Sequence, residues 1–175
     1  MTNTTLRLTA VALMCLPIAL ASTAIAQEKQ RVSFSTPNEN TKYTEKTENI
    51  DLGDVPNHIL RVFEIQRTYP NNAPMINGMK MVESWTRGAG DRIDGTGTNL
   101  QYVVFIMDNG DKIFARMEGT AINDSGKITV MIAGRITGGT GKLARIQGVI
   151  REMVNFDPKT NSNENRTEIE YSVAN

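Results

Sequence analysis

The chain has 175 residues, 39% hydrophobic and 22% charged, with 19 basic and 19 acidic side chains and a formal net charge of zero. Such a balance gives no overall field to draw nucleic acid or an anionic membrane surface. A single cysteine and a single histidine exclude a thiolate or histidine-based metal site, and no cofactor-binding motif is recognisable.

Residues 1–26 read as a secretory signal. Arg7 precedes an apolar run from Val11 to Ala21, and Ala24-Ile25-Ala26 fits an A-x-A cleavage rule, which predicts cleavage before Gln27. The run carries Pro17 and falls well short of the ~20 residues a membrane span requires. Cys15 follows Met14 inside that run, where a lipid-anchor cysteine would follow a small residue, so it leaves with the leader. The mature chain, 175 − 26 = 149 residues, then has no disulfide and no thiol nucleophile, and loss of Arg7 leaves 19 − 1 = 18 basic against 19 acidic side chains. That length suits one domain with a real core. No later stretch is apolar enough for a membrane span, and the expected location is secreted or periplasmic.

Residues 27–40 are polar, contain Pro37 and several asparagines, and read as a flexible segment. From 41 to 175 the chain reads as strand after strand, with no stripe of period 3.6. Alternation and β-branched or aromatic enrichment predict eight strands near 41–50, 57–69, 79–88, 97–108, 111–122, 127–137, 142–154 and 166–173. Asp108-Asn109-Gly110-Asp111, Asn123-Asp124-Ser125-Gly126 and Gly138-Gly139-Thr140-Gly141 mark tight antiparallel connections. Residues 69–74 and 155–163 are looser Pro- and Asn-rich loops. Eight short strands point to a sandwich or a barrel, and three successive hairpins make a meander whose closure would remove its exposed edges.

Few motifs carry chemistry. Gly139-Thr140-Gly141-Lys142 lacks the earlier glycine of a phosphate loop, where Ile136 stands, and the Ser or Thr after the lysine, where Leu143 stands. It reads as a structural turn. His58 has no nucleophile motif near it and reads as a strand-start surface or capping residue. Asn123-Asp124-Ser125 and Asn165-Arg166-Thr167 match a glycosylation acceptor pattern, relevant in a eukaryotic source.

Charged residues on apolar faces are more informative. By the two-residue period, Met79, Met81, Glu83 and Trp85 share one face of the third strand. Either Glu83 is buried among Met and Trp, or that face is outside. Phe114, Arg116 and Glu118 share a face opposite Ile113, Ala115 and Met117. Leu60, Val62 and Glu64 oppose Ile59, Arg61 and Phe63. Such two-sided mixing fits a barrel with a partly polar interior, and it also fits ordinary cross-strand ion pairs on a surface. The interior reading places Glu83 and Trp85 inside, with Arg116 as partner to the Glu83 carboxylate.

The run Ile136-Thr137-Gly138-Gly139-Thr140-Gly141-Lys142-Leu143-Ala144-Arg145-Ile146-Gln147-Gly148 resembles the strand–turn–strand signature of the allene oxide cyclase and dirigent superfamily, with Leu143 where Phe is usual. Residues 53–58 and 109–116 are similar to uncharacterised bacterial exported proteins built on the same barrel, and the likeness spans roughly residues 41 to 173. The resemblance implies an all-β, eight-stranded antiparallel up-and-down barrel, commonly trimeric, with an elongated apolar cavity. Plant members cyclise an unstable epoxide or steer the coupling of phenoxy radicals, confining a reactive guest in both cases. Their polar cavity residues have no residue-by-residue match here, so fold is implied and activity is not.

Three functions follow as expectations. The first is binding of a small hydrophobic molecule in a cavity lined by Met79, Met81, Glu83, Trp85, Tyr102, Phe105, Phe114 and Met117. The second is an isomerase or cyclase in which Glu83 or Glu64, together with Arg116, polarises a confined guest. The third is a structural, envelope-associated oligomer with a solid interior.

Overall fold

The computed structural model describes residues 28–174, so the leader, its cleavage point and Cys15 lie outside the described residues. Ten antiparallel strands follow one another: β1 (Gln30–Thr36), β2 (Lys42–Asp51), β3 (His58–Thr68), β4 (Met75–Ile76), β5 (Met79–Ile93), β6 (Thr96–Met107), β7 (Lys112–Asp124), β8 (Lys127–Gly139), β9 (Ile146–Asp157) and β10 (Ser162–Val173). Among the described residues the remaining regular structure is two short 3-10 turns, Asn38–Asn40 and Gly141–Leu143.

The sheet runs in the order β1-β10-β9-β8-β7-β6-β5-β3-β2, with β4 paired to β5 alone. The all-β antiparallel meander read from the sequence is therefore present, with two differences. The count is higher than eight, because residues expected to be flexible form β1, which pairs with β10 from Gln30 opposite Tyr171 to Thr36 opposite Asn165. Val32, Phe34 and Thr36 alternate inward there, and the intervening serines and Pro37 hide that period in the sequence. Secondly, the hydrogen-bonded sheet is not closed: β1 and β2 are its two edges and do not pair. Side chains span the rolled sheet instead. Tyr43 Oη on β2 donates to Asn161 Oδ1 at 2.8 Å, and Arg67 Nη2 on β3 donates to Asn163 Oδ1 on β10 at 2.8 Å.

Turn chemistry sets the register. Asn77-Gly78, Asp94-Gly95 and Ser125-Gly126 hold positive φ at both residues (50° and 75°, 51° and 82°, 54° and 91°), the requirement of a two-residue hairpin that matches strand twist. At Asn109-Gly110 only the glycine is left-handed, at 86°. The glycine-rich run is not a two-residue turn either: β8 continues to Gly139 and β9 starts at Ile146. Between them Leu143 is fully buried and the Lys142 N–H donates to Asp111 Oδ2 at 3.0 Å, so the connector is a structural plug. The 155–163 loop shrinks to residues 158–161.

Two irregularities interrupt the pleat. On β5 the pairing with β6 jumps from Met81 opposite Met107 to Glu83 opposite Ile106. On β8 the pairing with β7 jumps from Phe114 opposite Gly138 to Ala115 opposite Ile136. Each inserts one extra residue, which turns the side chains beyond it to the other face of the bulged strand.

The interior divides along the barrel axis. At one end Met81, Met107, Ile113, Met117, Ile146, Ile150 and Ile169 are almost wholly buried in one apolar cluster, with Val32 and Phe34 of β1 packed against it. At the other end the inward side chains of β3, β5, β6 and β10 are largely polar.

Candidate functional site

The polar end begins at the β5 bulge. Below it Met79 and Met81 point inward; above it the inward positions are Ser84, Thr86, Gly88 and Gly90. Four small residues in alternation leave the strand without side chains to fill the lumen. A Cβ on Gly88 would lie 2.8 Å from the Phe63 ring, and one on Gly90 would lie 2.7 Å from Asn99 Oδ1, so these glycines make room for neighbours from β3 and β6.

Two adjacent lobes lie in this end. The inner lobe, about 60 Å³, is bounded by Arg67, Ser84, Thr86, Val103, Phe105 and Glu152 among others. The outer lobe, about 80 Å³, lies between a polar wall of Glu45, Arg61, Arg92, Asn99 and Gln101 and an apolar wall of Ile128, Val130, Val154 and Phe156. Ile65, Gln101, Val154 and Asn163 line both.

Arg67 is 4% exposed and hydrogen-bonded on both terminal nitrogens: to Thr41 Oγ1 at 3.1 Å and the Asn163 carbonyl at 3.2 Å, and to Asn163 Oδ1 at 2.8 Å and Asn165 Oδ1 at 3.2 Å. Its guanidinium also lies 5.3 Å from the centre of the Tyr43 ring. Glu152 extends from β9 into the same lobe and accepts a hydrogen bond from Asn165 Nδ2. Burial pushes the Glu152 carboxyl above its ordinary value, against the opposing pull of Arg67 and the Asn165 bond. Tyr69 Oη is bonded to Ser84 Oγ at 2.9 Å, and burial raises the phenol to about 12. In the outer lobe Arg61 pairs with Glu45 and donates to Thr47 Oγ1 at 3.2 Å, while Arg92 Nη2 donates to Asn99 Oδ1 at 2.7 Å.

His58 sits at the rim of this end. Its ring nitrogens meet Asp54 Oδ1 at 2.6 Å and Asp91 Oδ1 at 2.8 Å, which ties the β2–β3 loop to β5. Hydrogen bonds first to Asp91 and then to Asp54 raise the imidazole above its ordinary value. His58 thus stands at the surface start of β3, as read from the sequence, and bridges the β2–β3 loop to β5 there.

The structure separates the residues expected to line one cavity. Met79, Met81, Phe105 and Met117 are buried, in the solid apolar cluster; Phe105 also borders the inner lobe. Glu83 and Trp85 are on the outer face, because the bulge adds a residue between them and Met81. Glu83 Oε1 accepts from Gln66 Nε2 at 2.5 Å, and the Arg87 guanidinium covers Trp85 at 4.6 Å from the ring centre. Arg116 is not the partner of Glu83: it lies on the outside of β7, paired with Glu118 at 2.5 Å and opposite Tyr102, which is 56% exposed. Phe114 shares that outer face with Arg116. Glu64 is also outside, bound to Arg87 at 2.8 Å and Lys46 at 3.5 Å.

The groups that do meet in the lumen are Arg61, Arg67, Arg92, Gln101 and Glu152. A sequence signal for the first two existed, since Arg61-x-Phe63-x-Ile65-x-Arg67 is one face of β3. The Ser84, Thr86, Gly88 and Gly90 alternation signalled the space.

No protein-family model matches the chain, and no curated protein sequence matches it. Among solved structures it is similar to the pterocarpan synthase dirigent protein GePTS1, with a TM-score of 0.48 and 11% identity, over 94% of this chain and 100% of that one. At that identity and score the likeness carries no assignment of ligand or activity. Among the described residues no helix is long and apolar enough to cross a membrane.

Proposed function

We propose that the protein is exported and holds a small organic molecule in the polar half of its rolled sheet. One observation carries the reading: two adjacent lobes stay open in the interior, the inner one bordered by the small Ser84 and Thr86 of β5, and both sharing Ile65, Gln101, Val154 and Asn163. Pairing of an apolar wall with a few fixed polar groups is the usual make-up of a small-molecule site. The guest differs from the hydrophobic one expected from sequence, since more than half of the lining side chains are polar. A solid-packed structural role fits the methionine-rich end alone.

Calorimetric titration with benzyl alcohol, a neutral probe that would fill both lobes together, tests the reading. Binding is expected for the natural chain, with at least a tenfold loss on Val154→Phe, which places a larger ring where the two lobes meet. Absence of binding, or binding untouched by that substitution in a folded variant, overturns it.

A catalytic reading, isomerisation or cyclisation of a confined guest, is favoured by Glu152. It takes the place of Glu83 and Glu64 as a carboxyl in the inner lobe, and burial raises it above its ordinary value, toward the protonated form a proton donor needs.

A further inference from the structure

The outer lobe contains a cation without a counter-charge. Arg92 is 5% exposed, and its one hydrogen bond in the lumen runs to the neutral Asn99 Oδ1 at 2.7 Å. Among the described residues no carboxylate lies within ion-pair distance of it. Its Nε is buried with no acceptor, and so is the Nε of Arg61 on the same wall of the lobe.

Two orphaned guanidinium N–H groups are not a packing accident of floppy side chains. Arg61 is held by Glu45 and Thr47 with its guanidinium 5.5 Å from the centre of the Phe63 ring, and Arg92 is held by Asn99. Gly90 is the neighbour that permits this placement, because a Cβ there would come within 3.3 Å of Arg92 Nε and 2.7 Å of Asn99 Oδ1. The two cations also act on one another: burial, and then the nearness of Arg92, pulls the Arg61 guanidinium below its ordinary value. Burial does the same to Arg92. A buried charge and a buried donor each cost stability when left unmatched, and an anion supplies both missing partners at once.

We propose that the outer lobe is a site for a small organic carboxylate, its anionic head taken by the guanidinium groups of Arg92 and Arg61 and its apolar body laid on Ile128, Val130, Val154 and Phe156. A planar carboxylate matches the donors of a guanidinium better than a spherical ion does. The facing wall of four apolar side chains favours an aliphatic or aromatic acid over inorganic phosphate or sulfate. The inference rests on the lumen being a binding site and adds the charge and class of the guest.

The test compares sodium benzoate with benzyl alcohol on the purified protein at low salt, by isothermal titration. Benzoate is expected to bind at least tenfold more tightly, about 1.4 kcal/mol, because only it brings a counter-charge to Arg92. Arg92→Gln is expected to abolish that preference. Should Arg92→Gln fail to fold, Arg61→Gln serves in its place, with at least a threefold loss of benzoate affinity expected. Equal affinity for the two probes in the natural chain, or a preference unchanged in a folded arginine variant, overturns the carboxylate site and leaves the lumen reading standing. Failure of both probes to bind overturns both.

Discussion

The two ends of this rolled sheet are built from the same strands and differ in one respect, what each strand sends inward. At the methionine-rich end β5, β6, β7, β9 and β10 contribute Met81, Met107, Met117, Ile150 and Ile169, each at or near zero exposure. At the other end four of these strands, β5, β6, β9 and β10, contribute Gly90, Asn99, Val154 and Asn163, with Arg92 among them. The first end supplies cohesion. The second gives up packing and accepts buried charge, which is the pattern expected where stability is traded for a site. A single inserted residue on β5 lies between the two regimes, since it re-aims everything from Ser84 onward.

Removing core volume breaks the comparison most severely. Ile150→Ala at the solid end is expected to cost about 2–5 kcal/mol in urea melts, through lost burial and the cavity left behind. A loss below about 1 kcal/mol would mean that this end is not tightly packed.

Next in size is the pH response of Glu152. Its pKa is raised on folding, so below about 4.5 both folded and unfolded states are protonated and the group costs nothing. As pH climbs from there through the folded value, the folded state must release the proton in a poor environment and stability falls. Glu152→Gln removes that decline, while Arg67 keeps its hydrogen bonds to Thr41, Asn163 and Asn165. The variant is expected to match the natural chain near pH 4 and to melt above it near pH 8; identical profiles would place the carboxyl in water.

His58 carries the opposite practical message for the rim, with the same sign. A raised imidazole contributes its full stability below its unfolded value of 6.5 and loses it as pH rises through the folded value. Asp91 and Asp54 hold the protonated ring, so hydrogen exchange in the 52–57 loop is expected to quicken on going from pH 6 to pH 8 in the natural chain and to be pH-independent, beyond intrinsic chemistry, in His58→Gln. Exchange that follows intrinsic chemistry alone in the natural chain would contradict the bridge.

The smallest effect belongs to the outer face. Glu83→Ala is expected to change stability by less than about 0.5 kcal/mol, since the residue meets Gln66 at a partly exposed position and no buried cation depends on it. A loss of several kcal/mol would return Glu83 to the interior.

Much of the fold was legible because local chemistry agreed with it. The alternation in β6 and β7 sends Val103, Phe105 and Met107, and Ile113, Ala115 and Met117, to the core as their spacing requires. Left-handed pairs such as Ser125-Gly126 end strands where expected. The site was less legible for a definite reason. Strict period two carries Met79 and Met81 forward to Glu83 and Trp85, and a bulge, which leaves no mark in the residue types around Val82, cancels that inference. The same rule applied after the bulge gives Ser84, Thr86, Gly88 and Gly90, whose smallness marks a lumen when set beside Arg61 and Arg67 on β3. Strand β1 was missed because Val32 and Phe34 are two apolar residues in a polar run, and their burial depends on β10 lying alongside.

The claim that one end is open and the other solid is tested most directly by methyl NMR during a benzyl alcohol titration. Shifts are expected at Ile65, Val103, Ile128, Val130 and Val154, which line the two lobes, with Ile113, Ile146, Ile150 and Ile169 unmoved. Shifts of equal size at both ends, or shifts confined to outward residues such as Val62 and Val149, would contradict it.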